Sequence, residues 1–207
     1  DTMLYHKKVT KEAVNHMVDY FEANNFDYYV ESNGGLFASK NLVKRLERII
    51  YGDIENDLEA RKRWQRKENH FINALIEGEE LRRDDINKVC FLENPNIPFD
   101  DIINEFKNEF NVIHCTVPMF GDDSGELSVP NIHKANAIET LINHLGIDRK
   151  NTYAFGDGMN DKEMLEYVNV GIAVGNAKEG LKAVADEVTD DITNDGIYNA
   201  MKRHNLI

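Results

Sequence analysis

Tyr153-Ala154-Phe155-Gly156-Asp157-Gly158-Met159-Asn160-Asp161 is a short apolar run that stops abruptly on two carboxylates four residues apart. The pattern predicts a strand that delivers Asp157 at its C-terminal end, on the rim where open α/β sheets bind ligands. Gly156 and Gly158 are expected to let the chain turn sharply and approach whatever is bound. A carboxylate at such a rim suits magnesium, which takes one or two protein carboxylates and leaves room for phosphate oxygens. The competing reading is a plain surface turn rich in Asp and Gly, and the flanking sequence decides against it.

Downstream, Lys162–Val168 reads as a helix with apolar positions at 164, 165 and 168. Gly171-Ile172-Ala173-Val174-Gly175 is a continuous apolar run, as in a strand buried on both faces. Asn176-Ala177 opens another helix with Leu181, Val184 and Ala185 on one side. Val188-Thr189 reads as a last short strand and Ile197–His204 as a closing helix. Upstream, Lys134 begins a helix whose apolar face is Ala137, Ile138, Leu141, Ile142 and Leu145, stopped by Gly146. Helix, strand, helix, strand, helix in that order predicts a parallel sheet with right-handed crossovers.

Three motifs in this region carry a resemblance: Lys134 at a helix start, Gly-Asp-Gly-Met-Asn-Asp at 156–161, and Val174-Gly175-Asn176-Ala177. Together with Ala185–Thr189 and Asn194–Ile197, they resemble the C-terminal half of a haloacid dehalogenase-superfamily hydrolase of the Cof-type sugar-phosphatase branch. Ala135 departs from the glycine usual after that lysine. The resemblance implies an α/β fold, the C-terminal part of a Rossmann-like parallel-sheet core with an inserted α/β cap domain. It implies a phosphatase of small phosphorylated metabolites that works with Mg2+ through an aspartyl-phosphate. Asp157 and Asp161 match the metal-site acids, Asp161 being the one that supports the metal shell. Lys134 matches the lysine that pairs with nucleophile and phosphoryl group; Lys134 and Asp161 are thus the expected catalytic residues. Asn160 and Asn176, with Lys134, occupy substrate-binding positions. Phosphoryl transfer depends chiefly on positioning and charge neutralisation, which this set supplies.

The family's nucleophile lies in an N-terminal Asp-x-Asp motif after the first strand, and no such motif follows an apolar strand here. Asp53, Asp84-Asp85, Asp100-Asp101 and Asp122-Asp123 sit in polar or helical contexts. The chain also opens on Asp1, so the expectation is a cap plus C-terminal core lacking half of its site. On that view the chain by itself is inactive. The rival is an inactive module that binds a ligand or partner; a missing central strand would leave costly unpaired edges and weighs against it.

The first part of the chain predicts helices at residues 10–24, 41–51 and 99–110, and one or two more across 55–77. Strands are predicted at 26–30, 86–92, 111–117 and 126–129. The expected division is 1–8 as a core exit segment, 9–120 as the cap and 121–207 as core, with Pro118, Gly121 and Gly125 marking the break. The basic run Arg61–Lys67 around Trp64 reads as a solvated helix face. His114-Cys115 lies in a strand, where neighbours point to opposite faces.

Over 207 residues the net charge is −13, which argues against a nucleic-acid partner, whose phosphates demand a positive footprint. Two cysteines without CxxC spacing, no apolar run of about 20 residues and no signal segment make the cytoplasm the expected compartment, with no membrane partner. Met159 at the third position excludes an EF-hand loop, and Asp161 stands where a dinucleotide fingerprint needs glycine. Substrate identity and oligomeric state stay open.

Overall fold

The computed structural model describes residues 4–207; the first three residues of the expected exit segment lie outside that range. The chain divides into two compact units, one ending at Asn131 and the other spanning Ile132–Ile207.

The first unit opens with α1 (Lys11–Ala23), which starts where the Thr10 hydroxyl accepts from the Ala13 N–H. A hairpin of β1 (Tyr28–Ser32) and β2 (Gly35–Ala38) follows, then α2 (Leu42–Tyr51), α3 (Leu58–Gln65), α4 (His70–Ala74) and β3 (Leu75–Ile76). The unit continues with β4 (Ile86–Phe91), α5 (Phe99–Phe106), β5 (Asn111–His114) and β6 (Gly125–Ser128). The six strands form one sheet in the order β3-β2-β1-β4-β6-β5, antiparallel except for β2 with β3. Strand alternation sends Val30, Val89 and Leu127 to one face, where α1 and α5 bury Met17, Phe21, Ile102 and Phe106 against them. Tyr29, Ala38, Cys90 and Leu92 point to the other, under Leu42 and Leu46 of α2 and Ile72 of α4.

No strand is predicted between residues 30 and 86, yet β2 lies there, because Gly34-Gly35 marks a turn inside a hairpin as well as the end of a strand. Likewise, β3 ends the stretch 55–77 that is predicted helical. The boundary also moves. β6 pairs with both β4 and β5, so it is held inside this sheet and the compact unit runs to Asn131 rather than stopping at 120. His114 and Cys115 do diverge: the imidazole stacks on Phe99 at 3.6 Å while the thiol packs with the opposite cluster. Arg63 and Arg66 pair with Glu68, Lys62 with Glu59, and Trp64 Nε1 donates to Glu47, as suits a solvated helix face.

Tyr28 gives a stability prediction. Its side chain is 1% exposed among Phe21 and its neighbours, and its hydroxyl has no hydrogen-bond partner among the described residues. A buried, unpaired hydroxyl costs about 1–3 kcal/mol. Tyr28→Phe should therefore raise the urea midpoint without changing the denaturant slope; a lower midpoint would mean that the hydroxyl has a partner after all.

The second unit runs α6 (Lys134–Leu145), β7 (Tyr153–Gly156), α7 (Lys162–Tyr167), β8 (Val170–Ala173), α8 (Glu179–Lys182), β9 (Glu187–Val188) and α9 (Gly196–Arg203). Its strands are parallel in the order β7-β8-β9, as the alternation of elements predicts. Ile172 and Ala173 of the central strand are fully buried, and Leu165, Val168 and Leu181 pack on the same core. Gly146 ends α6 in the left-handed conformation, φ 65°. The expected apolar face of α6 is corrected: Ala135 and Ile142 are buried, whereas Leu141 is 47% and Leu145 is 56% exposed. Helical periodicity identifies a stripe but not which part of it the sheet covers.

Candidate functional site

Asp157 follows the last residue of β7, where the apolar run Tyr153–Gly156 ends. The chain then makes one short helical turn, Met159–Asp161, and enters α7. The turn returns Asp161 beneath the strand end. Its Oδ2 accepts from the backbone N–H of Asp157 at 3.1 Å and of Gly158 at 3.4 Å. Lys134 Nζ, at the first residue of α6, donates to Asp161 Oδ1.

The two carboxylates therefore have opposite surroundings. Asp161 is buried with both oxygens engaged, and Asp157 is exposed with no side-chain hydrogen bond among the described residues. Burial pushes the Asp161 carboxyl upward, but Lys134 and the two amides outweigh it and hold the group below the usual carboxylate range. Asp161 is a charged anchor at neutral pH. Lys134 lies half exposed, its ammonium fixed at one end and open to solvent at the other.

Gly156 is required by close approach. A Cβ there would sit 2.7 Å from Asp161 Cβ and 2.8 Å from Leu165 Cδ1. The expected sharp glycine turn is corrected: Gly158 has φ −116°, and Gly156 is not among the positive-φ glycines. These glycines serve by lacking bulk.

Asn160 is exposed on the short turn beside Asp157. Asn176 is exposed as well, and its Oδ1 accepts from the Ile192 N–H at 3.2 Å. A tie the sequence reading missed is the Lys178 N–H, which donates to the Asp157 carbonyl at 2.9 Å and fixes the loop after β8 against the end of β7. Only its place two residues beyond Asn176 could have hinted at it.

The donor set fits magnesium rather than a multi-ligand transition-metal site. Asp157 offers one free hard oxygen donor, Asp161 is a second carboxylate close by, and no cluster of three or more His, Cys, Asp or Glu side chains occurs among the described residues.

The family model of haloacid dehalogenase-like hydrolases matches residues 1–201, and the chain belongs to that family. It is 27% identical to phosphatase YwpJ of Bacillus subtilis (strain 168), over 97% of this chain and 73% of that protein. It is 32% identical over 108 residues to the 5-amino-6-(5-phospho-D-ribitylamino)uracil phosphatase YcsE of the same organism, covering 52% of this chain and 43% of that protein. Among solved structures, a hypothetical protein from Geobacillus kaustophilus HTA426 superposes with a TM-score of 0.73 at 27% identity, over 99% of this chain and 71% of that one. A haloacid dehalogenase-like hydrolase from Bacteroides thetaiotaomicron gives 0.68 at 21% identity, over 98% of this chain and 70% of that one. The fold, a Rossmann-like core part with an α/β cap, is thus the one the sequence motifs imply.

Proposed function

We propose that the protein is a magnesium-dependent phosphatase of small phosphorylated metabolites, sugar phosphates or related compounds, that works through an aspartyl-phosphate. The observation that carries this reading is the split between Asp157, free and exposed at the strand end, and Asp161, buried and bonded to Lys134. Magnesium, when bound, neutralises phosphate charge and makes phosphorus a better electrophile. Asp157 is the residue that holds it, with Asp161 supporting the shell around it. Asp161 also keeps the Lys134 ammonium at a fixed place, where its free side pairs with the transferring phosphoryl oxygens. Asn160 and Asn176 contribute neutral donors to the substrate. The nucleophilic aspartate and the acid–base aspartate are assigned to residues other than the site groups described above. Among the described residues β7 pairs with β8 alone, so its second edge is available to a strand carrying them.

In this reading the second unit is the core part and the first is the cap. The names of YwpJ and YcsE support a phosphatase, and the name of YcsE is that of a phosphatase of a small phosphorylated ribityl compound. The acidic balance and the absence, among the described residues, of a helix long and apolar enough to cross a membrane fit a cytoplasmic enzyme of small molecules.

The test is release of inorganic phosphate by the full-length protein from a panel of sugar, nucleotide and cofactor phosphates. Chelation with EDTA is expected to abolish turnover, and excess Mg2+ to restore it. Turnover insensitive to EDTA, or no release from any panel member, would overturn the proposal.

A further inference from the structure

We infer that the first unit carries a second kind of site, a pocket for an uncharged planar ring compound, between the end of α2, the start of α4 and the turn Pro118–Phe120. The cavity measures about 340 Å³, at the small end of the range for small-molecule pockets. Its walls are aromatic: Phe71 lies 5.4 Å from Tyr29 at 68° and 6.1 Å from Phe120 at 39°, ring centre to ring centre. Tyr29 and Phe120 are buried, while Met119 and Val117 are exposed at the rim. No charged side chain lines it, so no ion pair is offered to an occupant and an apolar ring is favoured.

Asn69 is the one amide side chain in this lining, and it is held in place. Asn69 Oδ1 accepts from the Ile72 N–H at 3.0 Å to cap α4, and the Asn69 N–H donates to the Tyr51 hydroxyl at 3.0 Å. The cap fixes the side-chain rotamer, and Asn69 Nδ2 has no partner among the described residues. Aromatic walls with one pre-oriented donor select a flat ring bearing an acceptor at its edge, a ring nitrogen or carbonyl. The larger cleft along α2 differs in kind. Lys44 and Arg48 there stand among four carboxylates, Glu47, Asp53, Glu55 and Glu77, so that cleft is charged and net acidic. The ring pocket is read from the first unit alone and stands independently of the phosphatase proposal.

The probe is quinoline, two flat rings with one nitrogen acceptor, titrated into protein carrying 13C-labelled methionine methyls. Met119, assigned through Met119→Leu, is expected to shift saturably, and methyl α-glucoside to leave it unmoved. Asn69→Asp keeps the capping oxygen and so the fold, but removes the donor; it should weaken quinoline binding about fivefold, the scale of one neutral hydrogen bond. Met119→Glu, which sets a charge at the rim, should weaken it further. No saturable shift, an equal shift with the glucoside, or an affinity unchanged in both Asn69→Asp and Met119→Glu would each overturn the assignment.

Discussion

Asp157→Asn is expected to lower kcat/KM for phosphomonoester hydrolysis by about a hundredfold to a thousandfold, the scale on which loss of one electrostatic stabiliser acts. Asparagine keeps the shape of the side chain and removes its charge, the property by which Asp157 is proposed to hold the metal. The folded state should be indifferent, because the Asp157 carboxylate is exposed and makes no hydrogen bond among the described residues. Loss of activity should therefore come with an unchanged melting curve and with weaker Mg2+ binding by calorimetry. Near-normal turnover in this variant would remove Asp157 from the site. Asp161→Asn makes the useful contrast. It breaks a buried anchor that holds Lys134 and two amides, so stability and rate should fall together.

Gly171→Ala should produce a large loss of stability. Gly171 lies in β8, the central strand of the second unit, and a Cβ there would meet the Leu165 carbonyl oxygen at 2.4 Å and its Cα at 2.8 Å. Both obstacles are backbone, so no side chain can swing aside. Overpacking of this kind costs about 1–3 kcal/mol or more, against a total stability of about 5–15 kcal/mol. Leu165 belongs to α7, the helix that Asp161 precedes, so pushing α7 off the sheet also moves the anchor beneath Asp157. Urea unfolding should give a clearly lower midpoint for the variant. An unchanged midpoint would mean that α7 does not lie on β8 as closely as described.

The core part of the fold was legible because its signals are local and redundant. An apolar run ending in Gly-Asp-Gly, a second buried run at 171–174 and amphipathic stretches between them leave one topology, a parallel sheet with helical crossovers. The first unit was less legible. Gly34-Gly35 marks a turn equally well at the end of a strand or inside a hairpin, and only pairing of Ser32 with Gly35 distinguishes them. The unit boundary failed for a related reason: Pro and Gly record where the chain bends, not which sheet the next strand joins. The exposed Leu141 and Leu145 mark the same limit, since a helix announces its apolar stripe without announcing its cover.

The sequence by itself determined the residue types at the site, their order and the family they belong to, because those follow from spacing along the chain. Tertiary structure alone decided that two similar aspartates four residues apart differ in kind. The Met159–Asp161 turn buries Asp161 against two amides and Lys134 while Asp157 stays in solvent, and burial and hydrogen bonding depend on the folded surroundings, not on the residue type.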